Sequence, residues 1–248
     1  MRVIEQSFEI LDWSGLDLYQ RVETAARVCR RSKPEGDAEG FVRRLIKRGH
    51  LSPLEFARVC IGPLETVNVR RLREQSRSVL STRVWIGRIM ARYPALVEDL
   101  YYLPEAGELE TDNTWIPVLF TTSRTISHQL VRYRHNICFM QESQRKCRYD
   151  ETGIEVIEPP GLGMVNKDTW KSAVRYAEES YRILMRYGAS AEQARSVLPG
   201  CTATRILAYA SPEEWRHIFS QRCSPHADPQ MQELMYPLRS EMERERLI

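Results

Sequence analysis

The sequence predicts an α+β fold, helix-heavy and built as one domain. Three observations point there: apolar residues recur at helical spacing along most of the chain, strand-like stretches are few and short, and 248 residues fit one large domain, given roughly 150 residues per typical domain. With 42% hydrophobic and 28% charged residues, the composition is that of a globular protein and excludes a disordered chain or a disulfide miniprotein. No apolar run approaches the ~20 residues that span a bilayer. The opening Met1-Arg2-Val3-Ile4-Glu5-Gln6 has neither the basic start nor the apolar stretch of a signal peptide. A cytoplasmic protein with no membrane partner is expected.

The elements follow in order. Val3 to Asp12 has the Val, Ile and Phe of a strand and ends at a turn near Ser14-Gly15. Tyr19, Val22, Ala26 and Cys29 recur at helical spacing. Phe41, Val42, Leu45 and Ile46 form the apolar stripe of a second helix, with Arg43, Arg44, Lys47 and Arg48 on its wet side and Gly49 as its stop. Ser52-Pro53-Leu54-Glu55 reads as a capping box with proline at the first helical position, opening a third helix. Seven arginines between Arg70 and Arg92 lie among apolar residues and predict helix, and the acidic, Gly- and Pro-punctuated stretch through Asn113 predicts loop. Residues 62–113 together read as an insertion.

Trp115 to Thr122 is strand-like, with Pro117 demoting it toward an edge. Ser123 to Arg134 predicts helix and Ile154 to Ile157 a short strand. The strongest helix is Asp168 to Tyr187, with Trp170, Val174, Ala177, Tyr181 and Leu184 on one side and Gly188 ending it. A shorter helix, Ala191 to Leu198, stops at Pro199, and Trp215 to Gln221 opens the last helical region. No repeat of 20 to 50 residues is present.

Thirty-six basic residues against 33 acidic ones leave a net charge of +3, too little to imply polyanion binding by charge alone. Arginine clusters at Arg70 to Arg92 and Arg124 to Arg148, where its planar fork of donors suits phosphate or carboxylate. The six cysteines are scattered, with no C-x-x-C and no histidine at zinc spacing, and read as reduced, mostly packed thiols; no metal is expected. The densest polar segment runs from Ser127 to Tyr149. On a helix, Arg124, His128 and Arg132 stack at i, i+4 and i+8, with Gln129 beside Arg132. A solvated basic face is the plainer reading of such a helix, but Phe139, Met140 and Tyr149 interleave here.

This segment resembles the signature of flavin-dependent thymidylate synthases, R-H-R-x-x-S followed shortly by S-x-R and preceded by S-R-x-x-S-H-Q-L. The matching residues are Ser123-Arg124, Ser127-His128-Gln129-Leu130, Arg132-Tyr133-Arg134, Cys138 and Gln141-Glu142-Ser143-Gln144-Arg145. Gly49 to Glu55 resembles the family's G-H-x-S-x-x-E, Ala194 to Pro199 its A-R-x-V-L-P, and Thr204-Arg205, Trp215-Arg216-His217, Arg222 and Pro225-His226-Ala227 its C-terminal part. The similarity runs from about Ala25 to Glu233, the insertion excepted. It departs from the pattern at Tyr133 (the middle histidine), at one extra residue between Arg134 and Cys138, at Cys138 for serine, at Lys146 for tyrosine and at Ser211 for asparagine. Arg71 to Ser76 with Ser81-Thr82-Arg83 fits the same loose pattern, but its flanks do not match.

The resemblance implies a small antiparallel sheet in a helix-rich domain, and reductive C5-methylation of dUMP to dTMP with FAD as cofactor, methylenetetrahydrofolate as carbon donor and NADPH as reductant. A relative acting on UMP remains open. Methylating C5 of a uracil needs electron density at a poor nucleophile, and no cysteine here sits in a setting that would activate it for attack. Positioning ligands and stabilising a developing uracil anion is electrostatic work suited to arginine. By resemblance Arg195 and Arg145 take the nucleotide phosphate, with Gln129, Arg132, Gln141, Glu142, Ser143 and Gln144 around substrate. Arg222, against the uracil ring, and Ser143 are the catalytic candidates; Ser52, Arg132, Tyr133, Arg134, His135, His217 and His226 would contact the flavin. A homotetramer is implied. The rival from another class, an Arg-rich nucleic-acid-binding protein, is disfavoured by the low net charge and the lack of a nucleic-acid motif.

Overall fold

The computed structural model describes residues 1–60, 66–68 and 113–248. The α+β expectation holds, and the backbone divides into two compact units: residues 1–11, 28–31 and 116–248 form the first, residues 12–27 and 32–115 the second.

The first unit is organised by a four-stranded antiparallel sheet. Strands β2 (Ser7–Ile10), β5 (Ile116–Ser123), β6 (Ile137–Gln141) and β8 (Ala203–Ala210) lie in the order β2-β5-β8-β6. A parallel pair is made separately by β1 (Arg2–Ile4) and β7 (Glu155–Ile157), so the single strand expected from Val3 to Asp12 is two strands in two sheets. β5 is central, not an edge, despite Pro117. Its carbonyl accepts from Leu11 N at 2.9 Å on the β2 side, and N–H and C=O of a strand residue point the same way. The missing N–H would therefore face the place where β2 has already ended at Ile10↔Val118, and no ladder bond to β8 is lost.

Helix α3 (Arg124–Leu130) follows β5 without a loop, capped by Ser123, whose Oγ accepts from Ile126 N at 3.2 Å. α6 (Pro212–Arg222) and α7 (Pro229–Arg244) are capped in the same manner by Ser211 and Asp228 and carry proline in the first turn. Ile126, Leu130, Trp215, Phe219, Met231, Met235 and Leu238 from these three helices pack on Val118, Phe120, Ile206 and Ala208 of the sheet. Trp215 is fully buried, and its indole N–H donates to Ile116 O at 3.2 Å.

A second core lies under α4 (Met164–Arg186). Val174 and Tyr181, with Trp170 and Leu184, meet Tyr149, Ile154 and Val156, the side predicted from spacing. Gly188, at φ +87°, ends the helix where its N–H reaches Met185 O. The short α5 (Ala191–Ala194) carries a capping box made by Ser190 and Gln193, and a 3-10 turn, Arg195–Val197, runs into β8.

In the second unit, α1 (Leu18–Val28) and α2 (Ala38–Lys47) fall where the stripes predicted, and Gly49 (φ +72°) closes α2. The residues Ser52–Phe56 are one 3-10 turn rather than a helix, and the capping box is not made. The turn's N-cap is Leu51, so Ser52 is itself inside the turn and its side chain is not placed to cap; Arg58–Cys60 then leaves as strand β3, paired with β4 (Thr66–Asn68). The arginine-rich segment Arg70 to Arg92, the motif-like Arg71 to Arg83 and most of the 62–113 insertion lie outside the described residues.

Candidate active site

α3 is shorter than the sequence predicted, and that changes which residues stand together. It ends at Leu130 with Val131 as its C-cap, so Arg132 does not stack on Arg124 and His128. Arg132, Tyr133, Arg134 and His135 sit instead on the turn between α3 and β6. The chain needs a residue at φ +46°, Asn136, to enter β6, where the amide of Ser211 bonds its carbonyl. Helical spacing from Ser123 to Arg134 was the wrong period after Leu130, because the pull toward β6 outweighs helix propensity.

Two polar clusters flank α3. The first lies where β6 ends beside β8. Gln141 Nε2 donates to Ser127 Oγ of α3 at 2.7 Å and to Thr204 Oγ1 of β8 at 3.2 Å. The buried Glu142 carboxylate accepts from Tyr149 Oη at 2.5 Å, from Arg31 Nε at 2.6 Å and from Arg205 N at 3.3 Å. Arg31 also meets Glu155 at 3.2 Å. Burial, reinforced by Glu142, pushes the Tyr149 phenol far above its ordinary value, so it stays a neutral donor. The amide of Ser143 bonds Cys29 O at 3.0 Å, and the Ser143 carbonyl accepts from Lys146 and Cys147, which closes a tight turn.

Among the described residues two buried donors here have no acceptor: Arg124 Nη1 and Gln144 Nε2. Burial lowers the Arg124 pKa, Arg195 lowers it further, and Tyr149 and Glu142 oppose. Arg124 thus lies in the field of Arg195 as well as in that of the Glu142 carboxylate. The loop that sets them is fixed: Arg124 N bonds Thr202 O, Thr125 N bonds Gly200 O, and a Cβ on Gly200 would meet Thr125 Oγ1 at 2.6 Å. Arg195 is half-buried, and its Nε reaches Glu192 O at 3.4 Å. Arg145 points out and pairs with Glu192 at 3.5 Å. Buried arginine and amide donors left without acceptors suit a multiply charged oxyanion.

The second cluster joins α3 to α6. Arg222 Nε donates to Tyr133 Oη at 2.9 Å and Nη1 to Gln129 Oε1 at 3.4 Å; Gln129 Nε2 in turn donates to Asp228 Oδ2 at 3.0 Å. The guanidinium lies 5.4 Å from the Tyr133 ring centroid, and the His217 ring stands edge-on to it at 5.8 Å. Burial pushes the Tyr133 phenol up, against Arg222, which pulls it down. Around this pair Arg132, Arg134, His135, His217 and His226 are exposed, and Arg132 and Arg134 form no ion pair among the described residues. Ser52 belongs to the second unit and is exposed there.

The sequence proposed Gln129, Tyr133, His217 and Arg222 separately; the fold brings them together. It brings Gln141, Glu142, Gln144 and Arg195 to the other cluster. Arg124, Arg31 and Tyr149 were not proposed as site residues. Arg31 gave no signal, because its partner Glu142 is 111 positions away; Arg124 stood within the motif but was read as part of a stacked face. Cys138 is packed on β6 with Sγ against Tyr209 O at 3.6 Å, and burial pushes the Cys29, Cys201 and Cys223 thiols up and that of Cys147 to about 11. Among the described residues no cluster of His, Cys, Asp or Glu is placed to hold a metal, and no helix is long and apolar enough to cross a membrane.

The family model for the thymidylate synthase complementing protein matches residues 115–245, from β5 through α7. The chain belongs to this family. Both clusters fall inside the stretch that defines the family, apart from Arg31, whereas Gly49 to Glu55 falls outside it. Curated relatives include the flavin-dependent thymidylate synthases of Geobacter sulfurreducens, 35% identical over 107 residues (42% of this chain, 46% of that one), and Mycolicibacterium gilvum, 33% identical over 129 residues (45% and 50%). The chain spans about half the length of the curated relatives it matches. Among solved structures, a UMP/dUMP methylase PolB from Streptomyces cacaoi bound with 5-Br UMP superposes with a TM-score of 0.50 at 18% identity, over all of this chain and 92% of that one. That likeness bears on the fold alone.

Proposed function

We propose that the chain is a flavin-dependent C5-methylase of uracil nucleotides, converting dUMP to dTMP with methylenetetrahydrofolate as carbon donor and NADPH as reductant. The observation that carries this reading is a pair of buried donors without acceptors among the described residues, Arg124 Nη1 and Gln144 Nε2, the first of them in the field of a second arginine, Arg195. A nucleotide phosphate satisfies that field, each charge-assisted bond contributing ~1.5–3 kcal/mol. Family membership and the curated relatives support the uracil and the flavin. In this reading the donors unsatisfied among the described residues are completed by substrate, and Glu142, saturated by protein donors, braces the turn that carries Ser143 and Gln144.

The second cluster fits a flavin by its chemistry. Arg132, Arg134, His135, His217 and His226 are exposed cationic or imidazole donors, of which Arg132 and Arg134 form no ion pair among the described residues, suited to a pyrophosphate and to the polar edge of an isoalloxazine. Reduced flavin bound there would supply the hydride that completes the methyl group. Arg222, held between Tyr133 and Gln129, stabilises negative charge spreading over the uracil ring, because its planar donors are already oriented before charge develops. No thiolate is asked for, in keeping with thiols that burial holds protonated. Ser143, on the same turn as Gln144, is left to contact substrate. The active enzyme is a cytoplasmic homotetramer, and the 62–113 segment is an addition to one catalytic domain.

The test is direct. Purified protein should be yellow, with absorbance at roughly 450 nm, since the cofactor carries the chemistry, and should release tritium from C5-labelled dUMP in the presence of the folate donor and NADPH. A colourless protein that binds neither FAD nor dUMP ends the proposal. UMP offered in competition reads the sugar preference in the same assay.

A further inference from the structure

Arg222 is held by a phenol and an amide, and none of its described partners is a carboxylate. The geometry points to Tyr133 as a positioning residue for Arg222, which grips the guanidinium through Nε and by its ring face and leaves Nη2 for the uracil edge of the substrate. This rests on the function proposed above. The grip has two points on one helix and the turn after it: Tyr133 Oη takes Nε at 2.9 Å, and Gln129 Oε1 takes Nη1 at 3.4 Å. Gln129 is itself held by Asp228, which caps α7, so the chain of bonds runs from α7 through α3 to α6. Nη2 has no acceptor among the described residues.

The partners' chemistry matters as much as their position. A carboxylate in place of Tyr133 would neutralise Arg222 and weaken its hold on a developing anion. A phenol accepts the hydrogen bond and leaves the full charge on the guanidinium. It also does so at every physiological pH, because burial keeps the Tyr133 phenol protonated. An imidazole at the same place would be different. It would protonate at acid pH, below its free value of about 6.5 because Arg222 and burial disfavour a second cation, and would then lose its capacity to accept. The titratable and charged groups that face this pair are Glu214, His217 and Arg222 on α6, with His135 on the turn beside Glu214 and Asp228 behind Gln129. All of them are unchanged when only position 133 is varied.

The experiment compares wild type, Tyr133→Phe and Tyr133→His as full-length flavin-loaded protein. It reads flavin content by absorbance, dUMP affinity by calorimetry, and tritium release from pH 5.5 to 9. For Tyr133→Phe, flavin content is expected to hold while kcat falls about 10-fold, the scale of one hydrogen bond to a charged group, with a smaller change in KM. For Tyr133→His, the ratio of variant to wild-type kcat is expected to lie near one above about pH 8 and to fall progressively toward pH 5.5, by about 2-fold or more, as the imidazole charges. Taking the ratio cancels the titration of the nucleotide phosphate and of the shared groups. Should Tyr133→Phe fail to fold, the pH dependence of the ratio for Tyr133→His decides alone. A flat ratio across the range overturns the inference, and so does loss of flavin in step with loss of turnover, which would place Tyr133 against the cofactor and not behind Arg222. If wild type binds neither FAD nor dUMP, the proposed function has failed first and this inference goes with it.

Discussion

The two polar clusters of the first unit differ in who satisfies their charges. Around Glu142 the protein supplies nearly everything: a carboxylate with three donors on it, a phenol kept neutral by burial, and an arginine shared with Glu155. Around Arg222 the fold orients one guanidinium with neutral acceptors and leaves Arg132, Arg134, His135, His217 and His226 in water. Saturated charges hold a backbone turn in place; open charges await a ligand. Arg124 sits at the boundary, on the same short helix as Gln129 but with one buried nitrogen that has no acceptor among the described residues. The comparison predicts that substitutions in the saturated Glu142 network cost stability and that those at open donors, whether Arg124 or the residues around Arg222, cost binding or turnover.

The largest expected effect tests the saturated side. Glu142→Ala strands Arg31 and Tyr149 and should cost about 3 kcal/mol in urea unfolding, the low end for breaking a buried pair, because Arg31 can turn to solvent. A loss below ~1 kcal/mol would show that the cluster is not a brace. Next comes Arg222→Lys, which keeps the charge but cannot be held through Nε and Nη1 at once. Tritium release should fall about 100-fold, as for one preorganised donor, with an unchanged thermal midpoint; near-equal rates would reduce Arg222 to an ordinary helix-terminal arginine.

Arg124→Ala sharpens the boundary. It should weaken dUMP binding roughly 10- to 100-fold while flavin content holds, since one charge-assisted phosphate contact is lost; equal loss of both ligands would mean that α3 itself had been damaged. The smallest effect concerns Glu214, near His217 and His135, whose carboxyl burial pushes above its usual range. A raised carboxyl pKa means that the folded state binds its proton more tightly than the unfolded one, so stability is fullest below the unfolded value and is lost as pH rises through the folded one. Glu214→Gln should therefore be stabilising by about 0.5 kcal/mol at pH 7, with the gain vanishing near pH 4, read as the difference in thermal midpoints across that range.

The apolar stripes of α1, α2 and α4 were legible because each buries one face of a single helix, where spacing alone carries the message. β8 was not, because seven of its eight residues are buried, on both faces, so Ala203 to Ala210 has no alternation to read. Pro117 misled for a related reason. A proline is costly in a strand only where its N–H would have paired, and that depends on where β2 stops, which no local pattern records. The capping box at Ser52 met its sequence rule and failed because a rule for α-helix starts was applied to a 3-10 turn, while the box that is made, Ser190 with Gln193, followed the same rule unnoticed.

By itself the sequence determined the class of the fold, the long helices and their stops, and the residue types of the site in their family order, because these rest on periodicity, caps and local motifs. Only the tertiary structure decided that α3 stops at Leu130, that Arg31 meets Glu142 across 111 positions, that Arg124 keeps a buried nitrogen without an acceptor among the described residues, and that Tyr133 grips Arg222. Those facts follow from strand order and from how distant segments compete for the same buried donors and acceptors, and a chain read one window at a time contains neither.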